Sequence, residues 1–133
     1  YSSEALPEKL AHANEQQLAG VLVEDIEGLR NLDDILCVEG LDLVYIGIYD
    51  LSQTLGKAGQ LDDPRVLTEV RAAVERIEAS GRAAGAVARD RDHLEWLLGA
   101  GFRYISYLVD TAILSQGFRD ARSSFDELVA VRR

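Results

Sequence analysis

The 133-residue sequence holds one cysteine, two lysines and no long apolar run. The single Cys37 rules out an internal disulfide, so the fold rests on its core, and the cytoplasm is the expected compartment. Having only Lys9 and Lys57 leaves little for Schiff-base chemistry, which needs a desolvated lysine. No apolar stretch approaches the roughly 18 residues that cross a bilayer, and no charged-then-apolar leader opens the sequence. Basic residues are also scarce, 14 against 23 acidic, for a formal charge of −9. That balance repels phosphate backbones and anionic lipid, so neither nucleic acid nor membrane is an expected partner. No GxGxxG or P-loop spacing occurs. What remains is 47% hydrophobic and 28% charged, which suits one globular domain over residues 1–133.

Four short apolar runs are bounded by turn residues: Gly20–Val23, Leu43–Ile46, Ala84–Val87 and Tyr104–Tyr107. Their near-continuous apolar character predicts parallel strands buried on both faces. Helical spacing fills the gaps. Leu6 to Gln17 predicts a leading helix with Pro7 in its first turn. Leu29, Leu32, Ile35 and Leu36 predict one apolar face, and Val66, Val70, Ala73, Val74 and Ile77 another, ending near Ser80-Gly81. Asp90 reads as an N-cap for a helix through Leu94, Leu97 and Leu98, and Asp110 or Thr111 opens a last helix running towards Val131. The stretch Tyr49 to Asp63 reads as a long loop after the second strand. Alternation of this kind predicts an α/β fold with right-handed crossovers and a parallel sheet. Four βα units make about half of a (β/α)8 barrel of the TIM type, or else a small doubly wound sheet; periodicity alone fits both.

Glu24 directly follows the first strand, and Asp50 lies just past the second, beyond Gly47, where a missing side chain permits close approach. Neighbouring parallel strands would bring both carboxylates to one lip of the sheet. Two carboxylates with open positions beside them suit a hard divalent cation whose shell is completed by substrate oxygens and water. The same acids also suit solvated loops or helix N-caps. His12 and His93 read as surface residues, Cys37 as a buried thiol, Trp96 as core, and Arg119, Arg122, Arg132 and Arg133 as a solvated helix face.

The run Val21-Leu22-Val23-Glu24-Asp25-Ile26-Glu27-Gly28 and the run Leu41 to Ser52, with Gly47-Ile48-Tyr49-Asp50-Leu51-Ser52 at its end, resemble two motifs of the HpcH/HpaI aldolase/citrate lyase family. The second motif is commonly GPxDLS. The segment Val109-Asp110-Thr111 and the 26 positions between Glu24 and Asp50 agree with the family as well. Three residues depart from its pattern: Ile48 replaces a proline, Leu22 a glutamine and Leu108 a glycine.

The resemblance implies a metal-dependent class II pyruvate aldolase. Glu24 and Asp50 would hold a divalent metal (Mg2+, Mn2+ or Co2+), with Gly47, Ile48 and Tyr49 against the substrate. The reaction implied is cleavage of a 4-hydroxy-2-oxo acid to pyruvate and an aldehyde through a metal-stabilised pyruvate enolate. The match corresponds to the C-terminal half of the barrel, and the chain opens on Tyr1. The family's histidine base and substrate arginine lie upstream of it, so no catalytic residue is assigned within this chain. A homo-oligomer, or pairing with a separate N-terminal half-barrel, is the expected assembly. Two other functions fit the same sequence: a citrate lyase-like enzyme acting on acyl-CoA, and a non-catalytic half-barrel serving as a binding or assembly domain.

Overall fold

The computed structural model describes residues 5–131. Its elements alternate, with α1 (Leu6–Gln16) followed by β1 (Gly20–Val23), α2 (Ile26–Arg30), α3 (Leu32–Leu36), β2 (Leu43–Ile46) and α4 (Ile48–Thr54). Then come α5 (Pro64–Ala79), β3 (Ala83–Ala88), α6 (Arg91–Gly99), β4 (Tyr104–Tyr107) and α7 (Asp110–Ala130). All four predicted strands form, as a parallel sheet in the order β1-β2-β3-β4. A doubly wound sheet reverses strand order at its ligand crevice. This one does not, and right-handed crossovers in a strictly sequential sheet put the connecting helices on one side.

The core lies between that side and the helices. Val23, Val44, Ile46, Ala84, Ala86 and Ala88 point into it, against Leu32 and Leu36 of α3, Ile48 and Leu51 of α4, Val66, Val70, Val74 and Ile77 of α5, and Leu97 of α6. Small alanines along β3 let the helices close on the central strands. The other face carries a register layer of Leu22, Tyr45, Gly85 and Tyr104. A Cβ on Gly85 would stand 2.8 Å from the Tyr45 ring, so glycine there makes room for that ring. Tyr45 then meets Tyr104 edge-on, with centroids 6.2 Å apart.

Burial on both faces, expected from the apolar runs, holds only in part. Leu22 and Tyr104 are exposed because no second layer among the described residues covers their face, and Val21 and Tyr107, on the helix side, because β1 and β4 are the sheet's outer strands with one strand neighbour each. Neither α1 nor α7 buries a residue among those described. The helical face from Leu29 to Leu36 is two short helices that meet at Asn31, and Asp25 caps the first by accepting from the Gly28 N–H at 2.6 Å. The expected loop from Tyr49 begins instead as α4, seated by buried Ile48 and Leu51. Cys37 is exposed rather than buried, since α3 ends there and the chain turns outward. Arg119 and Arg122 lie on an exposed face of α7 as expected, whereas Arg132 and Arg133 lie outside the described residues.

Candidate metal and substrate site at the strand ends

The C-terminal ends of β1 and β2 are joined one residue past the strands, where the Gly47 N–H donates to the Val23 carbonyl at 2.9 Å. This bond sets Gly47 directly beside Glu24. A Cβ on Gly47 would lie 2.7 Å from the Glu24 Cβ and 3.2 Å from its Oε2, so the side chain of Glu24 occupies the space that any residue but glycine would fill. Gly47 is also the N-cap of α4, and its carbonyl accepts the first helical bond, from the Leu51 N–H at 2.9 Å. The amides of Ile48, Tyr49 and Asp50 precede that ladder and have no acceptor within the helix. Asp50 sits in the first turn, where a carboxylate complements the helix dipole, and its Oδ1 accepts from Gln53 Nε2 at 3.0 Å. One glycine therefore touches the first acid and opens the helix that carries the second.

Ser52 anchors this helix from below. Fully buried, it donates to the Tyr49 carbonyl at 2.6 Å and accepts from the Gly59 N–H at 3.0 Å, which fastens the loop after α4 to the helix. Tyr49 itself is exposed and lines a hollow of about 350 Å³ with Val87, Leu108 and Val109.

Sequence reasoning missed the ion-pair network at the end of β3. Arg89 donates to both Asp62 oxygens at 2.8 and 2.7 Å and to Asp90 Oδ2 at 3.1 Å. The hydrogen bond that Arg89 donates to Asp62 raises its pKa above the ordinary value. The alternating charges Arg89-Asp90-Arg91-Asp92 after an apolar strand were the available signal. His93 is buried rather than on the surface. Its Nδ1 accepts from the Arg89 N–H at 3.3 Å, and its ring stacks on half-buried Trp96, centroids 5.9 Å apart. Burial lowers the His93 pKa, and the positive charge of Arg89 adds to the effect. Asp90 is lowered by its bond from the His93 N–H at 2.7 Å, and Asp63 by the hydrogen bond from Lys57, which stands 2.9 Å away. His12 is exposed on α1.

Among the described residues no group of three or more His, Cys, Asp and Glu side chains is placed to hold a metal. Glu24 and Asp50 are two carboxylates, a donor set that fits a cation taking the rest of its shell from substrate and water.

The model of the HpcH/HpaI aldolase/citrate lyase family matches residues 3–116. A hydroxypyruvate/pyruvate aldolase of Pseudomonas aeruginosa is 38% identical over 121 residues, 91% of this chain and 45% of that protein. A 4-hydroxy-2-oxo-heptane-1,7-dioate aldolase of Escherichia coli is 35% identical over 84% of this chain and 42% of its own length. The solved structure of an HpcH/HpaI aldolase/citrate lyase family protein from Burkholderia cenocepacia superposes with a TM-score of 0.82 at 28% identity, covering 90% of this chain and 46% of that one. The chain spans about half the length of the curated relatives it matches, and its fold is half of their TIM-type barrel.

Proposed function

Because the chain belongs to the HpcH/HpaI aldolase/citrate lyase family, we propose that it forms the metal-holding half of a divalent-metal-dependent carbon–carbon lyase acting on 4-hydroxy-2-oxo acids. The observation that carries this reading is the Gly47 junction, where the side-chain gap of one residue seats Glu24 and the next helical turn presents Asp50. When bound there, Mg2+, Mn2+ or Co2+ would supply Lewis acidity to the oxygens of a 2-oxo acid. The first-turn amides of Ile48 and Tyr49 would receive the substrate carboxylate, and Gly47 keeps the approach open.

Neither described histidine is placed as the proton-transferring base. His93 is turned into the Arg89 amide, and His12 lies exposed on α1. On the family resemblance, the base and a substrate-binding arginine would come from a further half-barrel. The uncovered edges of β1 and β4 support pairing of this kind, with that half or with a second copy, and the expected setting is cytoplasmic. Lys57 is held by Asp63 at 2.9 Å and Lys9 lies on α1, which favours metal over Schiff-base chemistry.

Mn2+ titration calorimetry on the 133-residue chain, Glu24→Ala and Asp50→Ala, with and without pyruvate, tests the assignment. Binding that pyruvate tightens and either substitution abolishes is the expected result. Unchanged Mn2+ affinity in Glu24→Ala would overturn the ligand assignment.

A further inference from the structure

Leu108 is the only non-glycine residue with positive φ among those described, at +57°. A leucine resists that backbone because its Cβ crowds the following carbonyl, and such outliers persist where surrounding structure holds them. Here the Leu108 N–H donates to the Ala88 carbonyl at 2.9 Å, which pins the turn between β4 and α7 to the end of β3. The bend sets Leu108 beside Val87, Val109 and Tyr49 around the hollow of about 350 Å³. The one charged residue on its wall, Arg89, is charge-paired: its Nη2 donates to Asp62 and its Nε to Asp90. The hollow thus offers apolar surface and no free cation. It also adjoins the candidate site, since Tyr49 lies between Ile48 and Asp50 in the first turn of α4.

We propose that Leu108 is a specificity-determining residue, and that this hollow takes an uncharged, apolar substituent on the aldehyde partner rather than a distal carboxylate. The proposal rests on the lyase reading for the reaction, and on the hollow alone for the preference. The relative from Escherichia coli is named for a 1,7-dioate, a substrate charged at both ends. A neutralised arginine and an apolar wall oppose such a charge here, since a buried carboxylate needs a partner.

Two measurements on the 133-residue chain test this, the first made also on Leu108→Asn and Leu108→Gly. Asparagine tolerates the left-handed backbone and removes the apolar contact, and glycine removes the side chain with no strain. First, benzyl alcohol and succinate are titrated separately while backbone amide NMR shifts are followed. Benzyl alcohol is expected to move the amides of Val87, Leu108 and Val109 saturably, succinate is not, and Leu108→Asn should weaken benzyl alcohol about 10-fold, the lower end for one apolar group in such a pocket. Neither variant should melt below the parent, as loss of a merely structural leucine would require. Shifts that spare these amides, equal binding in Leu108→Asn, or tighter succinate binding at the hollow would each overturn the proposal.

Second, Mn2+ affinity is measured by calorimetry on the parent chain and on Glu24→Ala. If benzyl alcohol binds at the hollow as expected while Mn2+ affinity is equal in the two, the lyase reading fails and the apolar hollow stands; if Mn2+ binding is lost in Glu24→Ala while benzyl alcohol spares the hollow, the lyase reading stands and the proposal is overturned.

Discussion

Replacing Gly47 by alanine places a methyl group where Glu24 already is. The new Cβ would lie 2.7 Å from the Glu24 Cβ, whereas carbon atoms in contact sit about 3.5–4.0 Å apart. The obstructing atom is the root of the side chain rather than its tip, so no rotamer of Glu24 relieves the clash. The backbones must separate, and the 2.9 Å bond from Gly47 N–H to the Val23 carbonyl opposes that. The φ of Gly47 is −79°, open to alanine, so the whole cost is steric. Overpacking of this kind costs about 1–3 kcal/mol, offset by about 0.4–1 kcal/mol from the stiffer unfolded chain. A net loss of about 1–2 kcal/mol should lower the urea midpoint at unchanged slope. On the reading above, the displaced Glu24 should also weaken Mn2+ in calorimetry. An unchanged midpoint would refute the steric reasoning, and a shifted midpoint with unchanged Mn2+ affinity would refute the placement of Glu24 on the metal.

Other consequences are checked by denaturation or substitution alone. The His93 pKa is lowered in the folded chain, first by burial and then by Arg89, so the unfolded chain binds the proton more readily. Stability from this group is therefore full above the unfolded value, about 6.5, and is lost as pH falls below it. Urea midpoints should drop between pH 7.5 and pH 5.5, and His93→Gln should flatten that slope; an equal drop in the variant would refute the assignment. Leu97→Ala removes a fully buried leucine from α6 and should cost about 2–5 kcal/mol by urea denaturation. Asp25→Ala removes the cap on the Gly28 N–H at the start of α2 and should cost about 1 kcal/mol in the same assay.

The four strands were legible because apolar runs between turn residues are a local signal, and the Asp90 cap because its helix follows it directly. The helix α4 was not, since its seven residues start on Gly47 with no side-chain cap and hold their place through buried Ile48, Leu51 and Ser52. Those contacts are tertiary and leave no period long enough to read. His93 follows a pattern that was present: it lies four residues before buried Leu97, on the same helical face. Both candidate acids were legible as positions, but the reason for glycine at 47 was not. That reason is the side chain of Glu24, 23 positions earlier. Nor did the apolar runs disclose which sheet face would be covered. Leu22 and Tyr104 look like core residues in one dimension and stand on an open layer in three.

The sequential strand order has a consequence for how the chain is made. Among the described residues, β2, β3 and β4 each pair with the strand synthesised just before it. Contacts of short sequence separation form with little loop-closure cost, and a nascent chain can lay each strand on an existing template. Glu24 follows the first of these strands directly, and Asp50 lies in the helix that follows the second. The junction at Gly47 can thus close before β3, β4 or α7 has left the ribosome.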